Sequence, residues 1–319
     1  MKLIIDWLSF TVSGFKIKEM IQLLGLDSVP LWQKSHGKRG YAQQWTFGNI
    51  YINFTGNSCW VEFTGSGCRQ LEQLTNVDWV PFLQNLKAIR ANITRLDVAY
   101  DDKAGLLDIN QIAEDTKAGN YVGYLRKKTV MISGDRDANK EGICCTFGSK
   151  TSEVLIRIYD KAAEQGVSGH WVRVELQMRH ERANAFVELL DDKTIEEAYL
   201  GSVRNYLRFT EPSKDSNLSR RPMRAYWSAF LNSAESISLA QSNKDEATIE
   251  SVLSYVRDQA GNAIDCVISI FGVSGLLTLI KSRMNRSMER YLQIVHLYGL
   301  YSDTNRDIGE YLYKGKRKK

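Results

Sequence analysis

Four stretches of the chain alternate apolar and polar residues with the two-residue period of a half-buried strand. Residues 60–64 set Val61 and Phe63 against Glu62, and residues 94–101 set Leu96, Val98 and Tyr100 against Arg95, Asp97 and Asp101. In residues 154–161, Ile156 and Ile158 point one way while Arg157, Tyr159 and Lys161 point the other. Residues 171–179 alternate Val172, Val174, Leu176 and Met178 with Arg173, Glu175, Gln177 and Arg179. Strands of this kind can share one apolar core only if their polar faces also lie together.

The remaining pattern fills in the elements around that sheet. A strand is predicted over 3–12, a helix over 17–26, and a hairpin of 42–47 and 50–55 joined at the turn-prone pair Gly48-Asn49. Helical periodicity begins near Cys68 and recurs over 79–91, 110–117, 183–190 and 194–206. Gly65-Ser66-Gly67 reads as a plain hairpin turn, and 134–142 as a polar loop. Strands come before and between helices without β-α-β alternation. The fold class predicted is therefore α+β, a mainly antiparallel sheet with flanking helices.

Residues 210–222, rich in Ser, Pro, Asn and charge, read as a linker or exposed loop. Helical segments follow over 223–231, 244–259, 263–271, 274–284 and 287–297, with a helical hairpin turning near Gly272. The predicted organisation is a catalytic part over 1–209, a helical region over 210–319, and a basic tail over 314–319.

Composition narrows the chemistry. The net charge of +5 permits nucleic-acid binding, and the distribution of charge says more than its sum. Cations cluster at 34–39 and 126–128, at Arg220, Arg221 and Arg224, from Lys281 through Arg283 and Arg286 to Arg290, and along the tail. The four histidines show no metal-ligand spacing, so any metal would rest on carboxylates. There is no G-K-[ST] phosphate loop, hence no nucleotide hydrolysis. Five cysteines, an odd number without C-x-x-C spacing, read as reduced thiols of a cytoplasmic protein. The apolar stretch 263–280 is interrupted by Asp265 and two glycines, which argues against a membrane span.

The candidate chemistry lies on the shared polar face. A phenol flanked by two cations can be favoured as phenolate, with a phosphate held beside it, and tyrosine can act as a covalent nucleophile. Glu62, Asp97 and Glu175 suit a hard divalent cation such as Mg²⁺ or Mn²⁺. Each feature alone is what an ordinary solvated strand face carries; their convergence singles them out.

These segments resemble the replication initiation factor family of rolling-circle plasmid initiators and their phage and integrative-element relatives. The matching residues are Asp6-Trp7-Leu8-Ser9-Phe10-Thr11, Ile93-Thr94-Arg95-Leu96-Asp97-Val98-Ala99-Tyr100-Asp101, Thr146-Phe147-Gly148-Ser149, Ile156-Arg157-Ile158-Tyr159-Asp160-Lys161 and Trp171-Val172-Arg173-Val174-Glu175-Leu176. They cover roughly the first 200 residues in the family's order. The resemblance implies that Tyr159 nicks one origin strand, becomes joined to the 5′ phosphate and frees a 3′ hydroxyl primer, with Arg157 and Lys161 offsetting charge. It implies a divalent metal on Asp97, Glu175 and, less firmly matched, Glu62. It also implies origin DNA as partner, a homodimer, a recruited helicase, and duplex recognition by the C-terminal part. Arg173, Arg220, Arg221, Arg224, Lys281, Arg283 and Arg286 are the candidate DNA contacts. A relaxase of an integrative element, or a DNA-binding protein on the same sheet that no longer cleaves, would carry the same signals.

Overall fold

The computed structural model describes residues 2–29, 31–134, 142–149, 151–213, 215, 217–232, 234–239, 256 and 261–281. Its strands are β1 (Leu3–Ser13), β2 (Gln33–His36), β3 (Gln43–Phe47), β4 (Ile50–Thr55), β5 (Ser58–Phe63), β6 (Asn92–Asp102), β7 (Tyr121–Val122), β8 (Lys128–Ser133), β9 (Gly142–Phe147), β10 (Val154–Asp160), β11 (Val172–Arg179) and β12 (Arg208–Phe209). The helices are α1 (Ile17–Leu23), α2 (Gly65–Thr75), α3 (Trp79–Ala88), α4 (Ile109–Ala118), α5 (Lys161–Glu164), α6 (Glu181–Leu189), α7 (Ile195–Tyr206), α8 (Ala225–Leu231) and α9 (Gly261–Lys281). A compact unit covers Met1–Gln241, and a second covers Ser242–Lys319.

Ten strands form one sheet in the order β2-β3-β4-β5-β1-β6-β11-β10-β9-β8, and every pairing in it is antiparallel. The α+β expectation is met. One face carries the apolar set: Leu8 and Phe10 of β1, Val61 and Phe63 of β5, Leu96 and Val98 of β6, Val174 and Leu176 of β11, and Ile156 and Ile158 of β10, all at most 1% exposed. Helix α2 packs on β1, α6 on β6 and β11, and α4 on β8, β9 and β10. Burying this face is the main drive for the fold. It leaves the opposite face of the sheet for polar side chains.

The helix starts follow from local chemistry. Thr64 caps α2 by accepting from Gly67 N at 3.3 Å, Asp78 and Asp108 cap α3 and α4, and Thr194 with Glu197 forms a reciprocal capping box on α7. Gly65-Ser66-Gly67 is therefore the first turn of a helix and not a hairpin turn. Gly67 is needed there: an added Cβ would lie 2.3 Å from Asn49 O. The helices expected over 17–26 and 79–91 stop early, at Leu23 and Ala88. Strands β2 and β8 had no counterpart in the reading from sequence, because their side chains are mostly exposed and lack alternation.

The boundary expected at 209/210 falls inside the first unit. Thr210 bridges to Met223, so the 210–222 segment is an excursion that returns to the same body. Helix α8 then inserts Trp227 and Phe230 into the core: Trp227 stacks 4.9 Å from Phe209, and Phe230 lies 5.6 Å from Tyr100. Trp227 Nε1 donates to Leu207 O at 3.2 Å. Within the second unit, α9 breaks at Gly272 (φ 68°, ψ 178°), where a chain reversal was read from the sequence. Segments 244–259 (except Val256) and 287–297 and the basic tail lie outside the described residues. All five cysteines are free. Among the described residues, no helix is long and apolar enough to cross a membrane.

Trp227→Ala should cost about 3–5 kcal/mol, the usual penalty for deleting a buried indole. A urea titration of the chain checks this; an unshifted midpoint would detach 210–239 from the core.

Candidate active site

Strand register decides which side chains meet on the polar face. Across the sheet, Asp101 of β6 stands opposite Arg173 of β11, Arg173 opposite Tyr159 of β10, and Tyr159 opposite Cys144 of β9. The next row along runs Ala99, Glu175, Arg157 and Thr146. The third is Trp7, Asp97 and Gln177. Asp97 and Glu175 are thus diagonal neighbours on adjacent strands. Glu62 sits apart: it pairs with Ser9, which pairs with Arg95, one row further along and beyond the intervening strand β1. Its charged neighbours are Arg39, Lys38 and Arg95, not the other acids, and burial lifts its carboxyl above the ordinary value. The three carboxylates read from the sequence as one set are therefore a pair and an outlier. Among the described residues no group of three or more potential metal-ligating side chains gathers.

Tyr159 lies on the predicted face, and its ring is largely buried at 7% exposure. Its hydroxyl is 3.4 Å from Glu175 Oε2, in position to donate. Arg157 and Lys161 flank the ring at 5.8 and 5.6 Å. Lys161 is no longer strand: Asp160 accepts from Ala163 N at 2.8 Å and starts α5, which turns Lys161 back over the phenol. The tyrosine forms part of a groove of about 950 Å³ with Cys144, Asp160, Ala163 and Glu164.

Two flanking cations led to the expectation of an easily formed phenolate. The environment does the reverse. Burial first, then the negative Glu175, push the Tyr159 hydroxyl well above its ordinary value, and Arg173 only partly offsets them. The cations are already engaged: Arg157 pairs with Glu175 Oε1, and Lys161 pairs with Glu164. Asp97 is pushed up to about 7, chiefly by burial and against the hydrogen bond from Arg95. Arg95 holds it through Nε at 2.9 Å and Nη2 at 2.5 Å.

A family profile for the replication initiation factor matches residues 91–282, and one for the rolling-circle replication initiation protein N-terminal domain matches residues 2–85. This chain belongs to the replication initiation factor family. It is 26% identical over 247 residues to the candidate DNA relaxase NicK of Bacillus subtilis (strain 168), covering 71% of this chain and 70% of that protein. It is also similar to the structure of a rolling-circle replication initiator protein from Geobacillus stearothermophilus. That match has a TM-score of 0.68 and 28% identity, and covers 75% of this chain and 98% of that one.

In this member of the family, several cations expected to meet DNA have protein partners. Arg173 is 5% exposed and clasped by Asp101 at 2.6 and 2.8 Å and by Asp6 at 2.9 Å. Arg224 bridges Asp115 at 2.5 Å and Glu211 at 2.6 Å, and Arg221 donates to Asp215 O at 2.7 and 2.9 Å. These three hold structure together. Arg220 ends a short 3-10 turn on the surface. The Lys281 side chain, Arg283, Arg286 and Arg290 lie outside the described residues.

Arg95 and Gln177 were read from the sequence onto the polar face without a role there, and Asp6 was not placed on it. Asp6 could not have been, because its place depends on a register shift between Ile5 and Trp7. That bulge sets Asp6 and Trp7 together against Asp97 and turns the Asp6 carboxylate toward Arg173. Alternation alone predicts the wrong face.

Burial would raise the Asp101 carboxyl, but hydrogen bonds from Arg173 outweigh it and leave the group below its ordinary value. A lowered carboxylate contributes stability above its unfolded pKa of ~3.9, and that contribution disappears as pH falls through the lower folded value. Urea unfolding below pH ~4 should therefore weaken more steeply for the native chain than for Asp101→Asn. Parallel pH profiles would remove this role from the pair.

Proposed function

We propose that this protein is a rolling-circle replication initiator that nicks one strand of origin DNA with Tyr159. The observation that carries the reading is the placement of Tyr159, its hydroxyl 3.4 Å from a buried carboxylate, its ring flanked by Arg157 and Lys161, opposite Arg173 and lining an open groove. The phenolic oxygen attacks the scissile phosphorus, forming the Oη–P bond as the bond to the 3′ oxygen breaks. Because burial keeps the phenol protonated, attack has to be coupled to proton removal. Glu175 Oε2 is the acceptor in reach. The leaving 3′ oxygen takes a proton from water and becomes the primer hydroxyl. Arg157 and Lys161 offset the charge that develops on the phosphate.

The acids suit a divalent cation as a pair. Asp97 and Glu175 are both buried and carry like charge, and Glu175 adds to the burial that raises Asp97, so a cation near them would relieve a cost now met by Arg95 and Arg157. Two carboxylates plus substrate phosphate is a common provision for Mg²⁺. When bound, such an ion would polarise the scissile phosphate. Arg95 and Arg157, released from the acids, would face the phosphate instead.

The relative named as a candidate relaxase supports a second reading, in which the same chemistry opens an integrative element for transfer. The helical unit Ser242–Lys319, with Lys281, Arg283 and Arg286, is proposed to recognise origin duplex. A homodimer and a host helicase are further expected partners.

Incubation with single-stranded origin DNA and Mn²⁺, followed by a denaturing gel, should show a protein–DNA adduct. Tyr159→Phe should lose adduct and nicking by ~10³-fold or more while keeping DNA binding. Retained nicking would end the role of Tyr159. Asp97→Ala should shift the metal titration upward by about tenfold or more, the scale on which even supporting groups act. An unchanged titration would end the carboxylate assignment.

A further inference from the structure

We infer that the polar face of β3, β4 and β5, beneath the turn at residues 37–42, is a docking track for single-stranded DNA continuous with the Tyr159 site. The inference takes DNA as the ligand from the reading above and, apart from Arg95 where the track meets the site, rests on features that the nicking chemistry does not use.

Register makes the face continuous. Tyr51 of β4 stands opposite Glu62 of β5, Glu62 opposite Ser9 of β1, and Ser9 opposite Arg95 of β6. That row ends beside Trp7 and Asp97. Along it, cations lie over rings: Lys38 Nζ is 5.1 Å from Tyr51, the Arg39 guanidinium 4.3 Å from Trp60, and the Arg95 guanidinium 4.0 Å from Trp7. Rings interleaved with cations match a flexible strand, whose bases stack on any aromatic face while its phosphates meet the charges. A duplex keeps its base faces stacked inside and could use only the cations.

The floor under the turn is also incompletely satisfied. Asn53 is fully buried, and Trp60 and Gln44 are 4% and 6% exposed. Yet Asn53 Nδ2, Trp60 Nε1 and Gln44 Oε1 have no hydrogen-bond partner among the described residues. Buried polar groups are nearly always paired, so two donors and an acceptor left open mark a place where something else bonds. Base edges offer the matching groups.

The covering turn is exposed and joined to the floor at few points. Lys38, Arg39 and Gly40 are exposed. Arg39 and Gly40 both sit at positive φ, 53° and 85°. The turn is tied to the floor by Lys38 N donating to Asn53 Oδ1 at 2.9 Å, and at its end by Ala42 N donating to Thr55 Oγ1 at 2.7 Å. Raising it would uncover Trp60 and free Lys38 and Arg39 for phosphates. The cationic cluster at 34–39, conspicuous in the sequence, thereby acquires a use.

The test is fluorescence anisotropy of the full chain with labelled oligo-dT, and with a duplex of equal length, across a salt series. The double variant Lys38→Ala/Arg39→Ala should weaken oligo-dT binding by about tenfold or more and reduce its salt slope by about two contacts. Its duplex affinity should fall several-fold less than its oligo-dT affinity, because a duplex loses only the charge contacts, and its thermal melt should stay unchanged, since both side chains are exposed. Wild-type affinity for oligo-dT in the variant, or equal losses for oligo-dT and duplex, would overturn the inference. Failure of the native chain to bind oligo-dT would overturn it as well. Adduct formation is scored separately: a chain without adduct that loses oligo-dT binding on this substitution refutes the nicking reading alone.

Discussion

Everything on the polar face is arranged around one buried guanidinium. Arg173 lies beside the Tyr159 ring, 5% exposed, and its charge is met by Asp101 from β6 and Asp6 from β1. A guanidinium removed from water is tolerable only when its donors find carboxylates, and breaking such a pair commonly costs about 3–5 kcal/mol. The clasp joins three strands that are far apart in sequence. It fixes how β1, β6 and β11 sit against one another, and so where the tyrosine of β10 stands.

Charge compensation of the same kind extends outward. Asp97 answers to Arg95, and Glu175 to Arg157, each acid at most 2% exposed and each arginine more open. An acid locked in place beside a cation free to reorient is a poised arrangement. A phosphate or a metal ion entering the groove can exchange partners without leaving any buried charge alone. The raised Asp97 carboxyl expresses the same competition, because burial and Glu175 disfavour its charge while Arg95 supports it.

The face has two halves of different character. Around β10 and β11 it is ionic, dense and suited to a single reacting phosphate. Around β4 and β5 it is aromatic, capped by a cationic turn, and holds polar atoms without partners among the described residues. The long row of strands lets one body carry both, since an antiparallel sheet can set one face on the core and keep polar side chains along the other.

The sequence alone determined the fold class and which side chains share the polar face. Period-two alternation places Arg157, Tyr159, Asp97 and Glu175 on one face because alternation follows from backbone geometry, and it survives into the tertiary structure. The family motifs were legible for the same reason. What the tertiary structure decided was proximity and electrostatic state. Strand order separated Glu62 from the other acids, and a bulge turned Asp6 inward. Burial raised the phenol that local charges alone would have lowered. Helix α8 joined the sheet body because Trp227 and Phe230 found aromatic partners from β12 and β6. Each of these depends on contacts between distant segments and on exclusion of water, quantities that no local pattern encodes.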